Sequence, residues 1–324
     1  MGFPEDFRAI VVNYLKQQGD FLRLSSPNTF GIPLKVEGSS IEQVIYTASF
    51  MNCYMVYMGK IYQQIHQHTQ NPFHPDSKVI TMVSFGIDCS IPYILGLSWA
   101  IESGSFKPVD YLLPNYFCNL EAAKFSTSRK HAIWAADIVE KTAVSSDTVR
   151  FYLARINPQH GITNFDIQDF FELNNDFFAG HLQNILTNSW EEVVEGKMFI
   201  PDNLLVEELE DLLIAQGNAL CPPHFEMAQS LEPLERWIGQ HAVYGSGKDA
   251  YWWLKGFALL AWPIMPACAQ SLWKLLGMEG EPLEEQYFLS GQVEKRKAAP
   301  LWFPAVTQVE LSGILPEHMK PRMK

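Results

Sequence analysis

Cysteine is scarce in this sequence and never closely paired. Its 5 cysteines are an odd number among 324 residues, and no two of them stand in a Cys-x-x-Cys spacing. Neither a disulfide framework nor a thiolate zinc site is therefore expected. The reducing cytoplasm is the compartment that fits this usage best. The cysteines are Cys53, Cys89, Cys118, Cys221 and Cys268.

The sequence also lacks an excess of positive charge and a long uninterrupted apolar run. It has 24 basic and 36 acidic residues, for a net charge of −12, which argues against a surface that binds nucleic acid mainly by neutralising many phosphates. Basic residues can still cluster locally, so tRNA is kept as a candidate partner. The most apolar stretch, residues 250–278, contains lysines and prolines, so no membrane contact is expected.

The first part of the chain, to about residue 140, mixes short β-rich runs with helical ones. Strands are predicted at 44–47, 79–85 and 111–113, and a helix at about 92–102. This helix lies between the second and third strands. That order has the spacing of a βαβ unit and predicts a parallel pair of strands.

From about residue 146 the apolar spacing becomes helical. A Ser146-Asp147 cap opens the first helix, and a long apolar stripe predicts a second one at 167–186. Further helices are predicted in 203–216, 224–243 and 250–276, with a break at 263–266, and a strand is predicted at 301–309. Most aromatic residues of 237–273 are expected in the core, with Tyr251 or Trp252 the most exposed of them.

A short run, Lys124-Phe125-Ser126-Thr127-Ser128-Arg129, combines cations with hydroxyl groups. Hydroxyls and backbone N–H groups can bond phosphate oxygens while Lys124 supplies a mobile charge. The run therefore indicates an anion-binding loop. Its alternative interpretation is a solvated basic turn before a helix.

A second candidate, Phe85-Gly86-Ile87-Asp88, follows the predicted strand at 79–85. Ligands of parallel sheets bind beyond the carboxyl ends of the strands, where glycine allows close approach and a carboxylate can accept bonds from ribose hydroxyls or an amine. The alternative is an ordinary strand-to-helix turn in which Asp88 caps the helix.

Together these segments resemble class I aminoacyl-tRNA synthetases, and most closely the methionyl-tRNA synthetase group. The signature loop Lys-Met-Ser-Lys-Ser of that family appears here as Lys124-Phe125-Ser126-Thr127-Ser128, and its Gly-Lys-Asp turn appears as Gly86-Ile87-Asp88. The resemblance covers roughly residues 5 to 280 in order. Its further matching segments are 28–34, 45–48, 147–185 and 263–277.

The resemblance implies an α/β Rossmann-like fold of the class I synthetase type, present in part and followed by an all-α helix bundle. Residues 1–143 would be the second half of the nucleotide-binding catalytic domain. Residues 144–280 would be an anticodon-binding-like bundle, and residues 281–324 a C-terminal extension.

The resemblance also implies substrates and residue roles. The substrates would be an amino acid and ATP with Mg²⁺, with tRNA as a candidate acceptor. No structural metal is expected in this chain. The implied residues are Lys124, Ser126 and Ser128 in catalysis; Gly86, Asp88, Lys124, Phe125 and Arg129 on ATP; Tyr46, Ala48 and Tyr93 in the amino-acid pocket; and Asn184 and Asn188 on tRNA.

Several positions depart from the family pattern. The His-Ile-Gly-His motif of the family is not found in this sequence. The chain is therefore expected to be either the C-terminal piece of a split enzyme, with a separate polypeptide as the partner that supplies that half of the fold, or a paralogue with a changed task. Thr127 and Ile87 stand where the family has lysines, Tyr46 and Tyr93 where its pocket has tryptophan and histidine, and Asn188 where an arginine is expected. The polar run 64–74, with its three histidines, is expected to be a surface loop rather than a metal site.

Three functions stay open at this point. The one we favour is a split or divergent methionyl-tRNA synthetase-like ligase that activates an amino acid with ATP and transfers it to tRNA. The second is a paralogue that activates an amino acid for a different acceptor. The third is a catalytically inactive binding subunit derived from a synthetase.

Overall fold

The computed structural model describes residues 5–18, 23, 25–28, 30–35, 37–38, 40–193, 200–223, 225–289, 293 and 298–323. Their contacts divide the chain into two compact units. The first comprises Met1–Phe117 with Pro158–Gly161, and the second comprises Cys118–Asn157 with Ile162–Lys324. The predicted domain boundaries at 143/144 and 280/281 do not coincide with this division, and as domain boundaries they stay predictions.

Among its described residues, the first unit contains three α-helices and two small sheets. Strands β1, β3 and β2 form an antiparallel sheet in that order, and β4 pairs with β5 in parallel. The elements are α1 Glu5–Gln18, β1 Ser25–Pro27, β2 Pro33–Leu34, β3 Gln43–Ile45, α2 Thr47–Ile65, β4 Met82–Gly86, α3 Ser90–Ser103 and β5 Tyr111–Asn115.

The predicted βαβ unit is confirmed by β4, α3 and β5. Met82 pairs with Tyr111 and the parallel register runs to Gly86 and Asn115. Strand β4 begins at Met82 rather than at the predicted residue 79, because side chains form hydrogen bonds with the backbone groups of the residues before it. Asp110 accepts hydrogen bonds from the backbone N–H and the hydroxyl of Thr81 at 2.7 and 2.8 Å, and the Lys107 ammonium donates to the Val79 carbonyl at 2.5 Å.

The predicted strand at 44–47 is shorter than expected. Strand β3 ends at Ile45 and helix α2 begins at Thr47. Tyr46 has extended backbone angles, φ −72° and ψ 129°, and is the residue from which α2 starts.

The second unit is mainly helical but also holds a small sheet. Strand β6 pairs in parallel with β8 and antiparallel with β7, so the all-α expectation after residue 146 misses β8. The elements are β6 Cys118–Leu120, β7 Ala123–Lys124, α4 Ala135–Lys141, α5 Ser146–Arg155, β8 Thr163–Phe165, α6 Ile167–Glu172, α7 Gln183–Glu192, α8 Asn203–Leu220, α9 Glu232–Gly239, α10 His241–Tyr244, α11 Ala250–Ala261, α12 Pro266–Leu275 and α13 Gln308–Ile314.

The long helix predicted at 167–186 is confirmed and extends to Glu192. Its centre, Leu173–Leu182, is a π-helix that joins α6 to α7. The break at 263–266 is also confirmed, because α11 ends at Ala261 and α12 begins at Pro266. By contrast, the helix predicted at 224–243 begins only at Glu232. Phe225 has a left-handed φ of 49°, which a helix does not accommodate, and residue 224 lies outside the described residues.

Helix α11 is the centre of the helical core. It packs against α7, α8, α9 and α12, and all of its residues are buried. Trp237 and Trp253 each donate an indole N–H to the backbone carbonyl of the other, at 3.0 and 3.1 Å. The core placement of these aromatics is confirmed, but the expected exposure of Tyr251 or Trp252 is wrong, because α11 has neighbours on every side.

The strand predicted at 301–309 is also wrong. Side-chain amides of the long helix bind this part of the backbone and leave it no strand partner: Asn175 exchanges two bonds with Val306, both at 2.9 Å. The Gln183 carbonyl oxygen accepts from Trp302 N–H and Phe303 N–H at 2.9 and 3.1 Å. Residues 308–314 instead form α13, whose N-cap Thr307 forms a capping box with Glu310.

No helix in the described part of the chain is both long and apolar enough to cross a bilayer.

A buried carboxylate joins α5 to α12. Ser145 rather than Ser146 caps α5, and Asp147, which is fully buried, accepts hydrogen bonds from the backbone N–H groups of Ala267 and Cys268 at 3.2 and 2.6 Å. Burial raises the pKa of Asp147. The first turn of α12 therefore depends on a side chain that lies far away in sequence.

We predict that Asp147→Ala lowers the free energy of unfolding by about 2–4 kcal/mol, because it leaves two backbone N–H groups without their acceptor in the core. Urea unfolding of the full chain measures this loss. Asp202→Ala is the matched control, since Asp202 caps α8 from a more exposed position and should cost about 1 kcal/mol. Equal losses in the two variants would contradict the assignment.

Candidate functional site

A tight turn joins β6 to β7, the strand in which the predicted anion-binding run begins at Lys124. Glu121 and Ala122 have left-handed φ values of 48° and 62°, although neither is a glycine. The turn is held from outside: Ala122 N–H donates to the Asn164 side-chain oxygen at 2.6 Å, and the Glu121 carboxylate accepts from Ile167 N–H at 2.9 Å. Contacts with β8 and α6 therefore hold the turn that leads into β7 and Lys124.

Residues 124–129, here named the Lys124 loop, enter a hairpin turn. Ser126 and His131 exchange two backbone hydrogen bonds at 2.8 and 2.9 Å, and Lys130 N–H donates to the Thr127 carbonyl at 3.1 Å. These bonds close residues 127–130 into a turn, with Lys130 at a φ of 54°. The loop is thus a defined turn ahead of α4.

The side chains of the Lys124 loop divide into an anchor and a polar group. Phe125 is half-buried and packs against the hydrophobic core of the second unit. The Ser126 and Ser128 hydroxyl oxygens lie 3.2 Å apart, and Ser126 also accepts a hydrogen bond from Arg129 N–H at 3.3 Å. Lys124 and Arg129 are exposed. Two adjoining hydroxyls, with an exposed cation on either side of them in sequence, form a group that can bind an anion.

The Gly86-Ile87-Asp88 turn lies at the carboxyl end of β4, as the sequence predicts. A Cβ at Gly86 would stand 2.6 Å from an Asp88 carboxylate oxygen, so glycine is the residue that leaves room for this side chain. Asp88 itself is exposed. The alternative role of Asp88 as a helix cap is not observed, because Cys89 is the N-cap of α3 and no side chain bonds the cap.

Two neighbours of Asp88 have altered acidity. Burial raises the pKa of the Cys89 thiol, and the charge and hydrogen bonding of Asp88 raise it further. The pKa of Tyr93 is raised by burial and then by the charge of Cys89. The Tyr93 ring stacks on Phe85 with centroids 4.3 Å apart, which places this predicted pocket residue beside the end of β4.

The other two residues predicted for the amino-acid pocket lie at the start of α2. The Arg23 guanidinium stands 5.1 Å from the centroid of the Tyr46 ring, a cation–π distance. The backbone of Ala48 belongs to α2, and its side chain lies outside the described residues.

Asn184 and Asn188, the predicted tRNA contacts, are both exposed and lie four residues apart on α7. Residues at this spacing share one face of a helix. The Asn184 amide donates to the Gly180 carbonyl of the preceding turn. One of the two amides is thus engaged within its own helix.

The histidine-rich run 64–74 begins as the last turn of α2, and His66 and His68 pack on Tyr62 with ring centroids 4.3 and 5.3 Å away. In the part of the chain that the structure describes, no cluster of three histidine, cysteine or carboxylate side chains could hold a metal ion.

Sequence reasoning missed Asn164, Glu121 and His131, which hold the Lys124 loop. Asn164 contacts Ala122, 42 positions away, and Glu121 contacts Ile167, 46 positions away. His131 pairs with Ser126, 5 positions away. None of the three lies within the run Lys124–Arg129, and nothing in residue type distinguishes a side chain that supports a turn from one that faces solvent.

The sequence pattern described as tRNA synthetases class I (M) matches residues 2–189, which is more than half of the chain. A methionine–tRNA ligase of Chlorobaculum tepidum is 27% identical over 205 residues, which are 55% of this chain and 29% of that protein. One of Thermococcus kodakarensis is 25% identical over 228 residues, which are 61% and 30% of the two chains. The chain therefore spans less than a third of the length of these relatives.

Solved structures give a wider match. Mycobacterium tuberculosis methionyl-tRNA synthetase in complex with methionyl-adenylate superposes with a TM-score of 0.69 at 17% identity, covering 93% of this chain and 64% of that one. The apo form of the same protein gives a TM-score of 0.68 at 16% identity. At this identity the likeness concerns the fold, and it confirms the predicted Rossmann-like α/β fold followed by helices.

We predict that Asp88→Asn lowers the pKa of the Cys89 thiol, because the carboxylate no longer opposes the thiolate. Alkylation of Cys89 should then begin at a lower pH than in the wild type, as followed by mass spectrometry of its peptide. Asp76→Asn, another exposed carboxylate of the first unit, should leave the profile unchanged. An unchanged profile in Asp88→Asn would show that the two side chains do not interact.

Proposed function

The chain belongs to the tRNA synthetases class I (M) family, and from this membership we propose that it takes part in ATP-dependent activation of an amino acid and its transfer to tRNA. The resemblance of the sequence to the methionyl group is thereby confirmed at the level of the family. The observation that carries the proposed activity is the Lys124 loop, in which two hydroxyls adjoin on a defined turn and an exposed cation stands on either side of them in sequence.

In this proposal the Lys124 loop binds the phosphates of ATP, which enters as its Mg²⁺ complex. The amino-acid carboxylate attacks the α-phosphorus, and the bond to pyrophosphate breaks. Lys124, Ser126 and Ser128 stabilise the charge that develops on the departing pyrophosphate, and Arg129 adds a second cation. Phe125 holds the loop to the core. The products of this step are an aminoacyl adenylate and pyrophosphate.

Gly86 and Asp88 take the adenosine in the same proposal. The carboxyl end of a parallel strand is where such ligands bind, and the exposed Asp88 carboxylate can accept hydrogen bonds from ribose hydroxyls. Tyr46, Ala48 and Tyr93 are the proposed amino-acid pocket. The stacking of Tyr93 on Phe85, next to Gly86, supports its membership.

In the second step, a terminal hydroxyl of tRNA attacks the acyl carbon of the adenylate and releases AMP. We propose Asn184 and Asn188 as contacts to the tRNA, on the basis of their exposure on one face of α7. A second candidate function keeps the adenylation and changes the acceptor. It is favoured by the hydrogen bond of Asn184 to Gly180 and by the full burial of Trp237, Trp253 and Trp273, which therefore cannot stack on bases.

We further propose that a separate polypeptide carrying the His-Ile-Gly-His half binds the first unit. Helix α2 presents an exposed stripe of apolar side chains at helical spacing, and strand β4 pairs only with β5 among the described residues. An unpaired strand edge and an exposed apolar stripe are both surfaces that another polypeptide can cover. The stripe consists of Tyr54, Tyr57, Met58, Tyr62 and Ile65.

A cytoplasmic location also belongs to this proposal. Cys89, Cys118, Cys221 and Cys268 are free thiols, which agrees with a reducing compartment.

We predict that Lys124→Ala slows amino-acid-dependent pyrophosphate exchange by about 100-fold or more, because it removes a charge that faces the developing pyrophosphate. The KM for the amino acid should change little, because the side chain does not contact that substrate. The assay uses the full chain, alone and with a polypeptide that carries the missing motif. Lys141→Ala, an exposed lysine of α4 that pairs with Asp137, is the matched control. Absence of exchange in the wild type under both conditions would reject the enzymatic proposal.

If tRNA is the acceptor, Asn188→Ala should weaken tRNA binding by about 1–3 kcal/mol, the range of a lost base contact. Gel-shift titration at fixed salt measures the affinity. Gln168→Ala, which removes an exposed amide of α6, serves as the control. Wild-type binding that is weak and independent of the anticodon would favour the second candidate function.

A further inference from the structure

His131 closes the Lys124 loop with both its backbone and its ring. Its backbone exchanges two hydrogen bonds with Ser126, and one ring nitrogen, Nε2, lies 2.9 Å from the Leu120 carbonyl oxygen. Leu120 is fully buried in β6. The ring therefore joins residue 131, just past the end of the loop, to β6, the strand that pairs with β7, where the loop begins.

The other ring nitrogen of His131, Nδ1, lies 3.0 Å from Nε2 of His318. A carbonyl oxygen can only accept, so the bond to Leu120 requires a proton on His131 Nε2. In the neutral ring Nδ1 is then an acceptor, and the His318 Nε2–H is its donor. The hydrogen bonds run in one direction, from His318 through His131 to Leu120.

His318 belongs to the C-terminal segment, residues 298–320, which is anchored along its length. Asn175 and Gln183 bind its first part, α13 packs against α4, and Met319, next to His318, is 3% exposed. The segment thus holds His318 at the base of the loop through several contacts in the same compact unit.

We propose that His131 is a positioning residue of the Lys124 loop, and that His318 holds it in place, so that the C-terminal segment sets the geometry of the phosphate-binding hydroxyls. Ser126 is the link, because its backbone pairs with His131 while its hydroxyl contacts Ser128 and Arg129. This inference rests on the proposed function for its meaning in catalysis. The contact itself can be tested without it.

The first test measures amide hydrogen exchange in the loop in the absence of nucleotide. In the full chain, His318→Ala should speed hydrogen exchange of the Ser126 and His131 amides by about 3- to 10-fold, the effect of one lost hydrogen bond. His318→Gln should restore slow exchange, because its side-chain N–H can take the place of Nε2–H. Lys320→Ala is the matched control, since it removes the adjacent pair with Glu317 and leaves both histidines.

The second test measures ATP affinity of the same variants. His318→Ala should raise the dissociation constant about 3- to 10-fold, with rescue in His318→Gln and an unchanged melting temperature. Unaltered exchange in His318→Ala, or equal acceleration in Lys320→Ala, overturns the positioning role. Faster exchange with an unchanged ATP affinity would mean that His318 affects only the structure of the loop, and this result also overturns the positioning role. A wild type that binds no ATP rejects the proposed function instead, while the exchange data still decide the contact.

Discussion

The parallel pairing of β6 with β8 is the constraint on which the candidate phosphate site depends. It brings Cys118–Leu120 beside Thr163–Phe165 and buries Leu120 completely. The segment that carries Lys124 is thereby part of the helical unit and not of the βαβ unit that precedes it in sequence. The left-handed turn at residues 121–122 is possible because Asn164 and the start of α6 supply its hydrogen-bond partners; a non-glycine residue adopts such angles only when its surroundings compensate for the strain.

A second constraint acts through side-chain amides. Backbone groups in the core must find partners, and in residues 300–306 these partners are Asn175 and Gln183 of the long helix instead of a neighbouring strand. Trp302 and Phe303 enter the core in consequence, and the remainder of the segment reaches the Lys124 loop at His318. One helix, one extended segment and one loop therefore form a continuous set of contacts within the second unit.

The elements that could be predicted are those defined by local pattern. The spacing of two β-rich runs around a helix predicts the parallel pair β4 and β5, and the apolar period predicts the helix from Ile167 onward. Prolines predict the break between α11 and α12. The failures share a cause: the β-rich pattern at 301–309 is real, but the groups that satisfy its backbone lie more than a hundred residues away in sequence. The burial of Tyr251 and Trp252 likewise follows from helices that enclose α11, not from their own helical face.

The sequence by itself determined the chemistry that is available: a run of hydroxyl and cationic residues, a glycine before a carboxylate at a strand end, and a family resemblance carried by motifs in order. These properties reside in residue types and short spacings, which the linear chain displays. Only the tertiary structure decided that Ser126 and Ser128 adjoin, that Asp88 occupies the space above Gly86, and that Asp147 caps a helix formed by residues 266–275. The contact of Ser126 with Ser128 follows a turn that Asn164 and Ile167 hold, and the contact of Asp147 with Cys268 joins residues 121 positions apart, because packing brings together segments that the linear chain keeps apart.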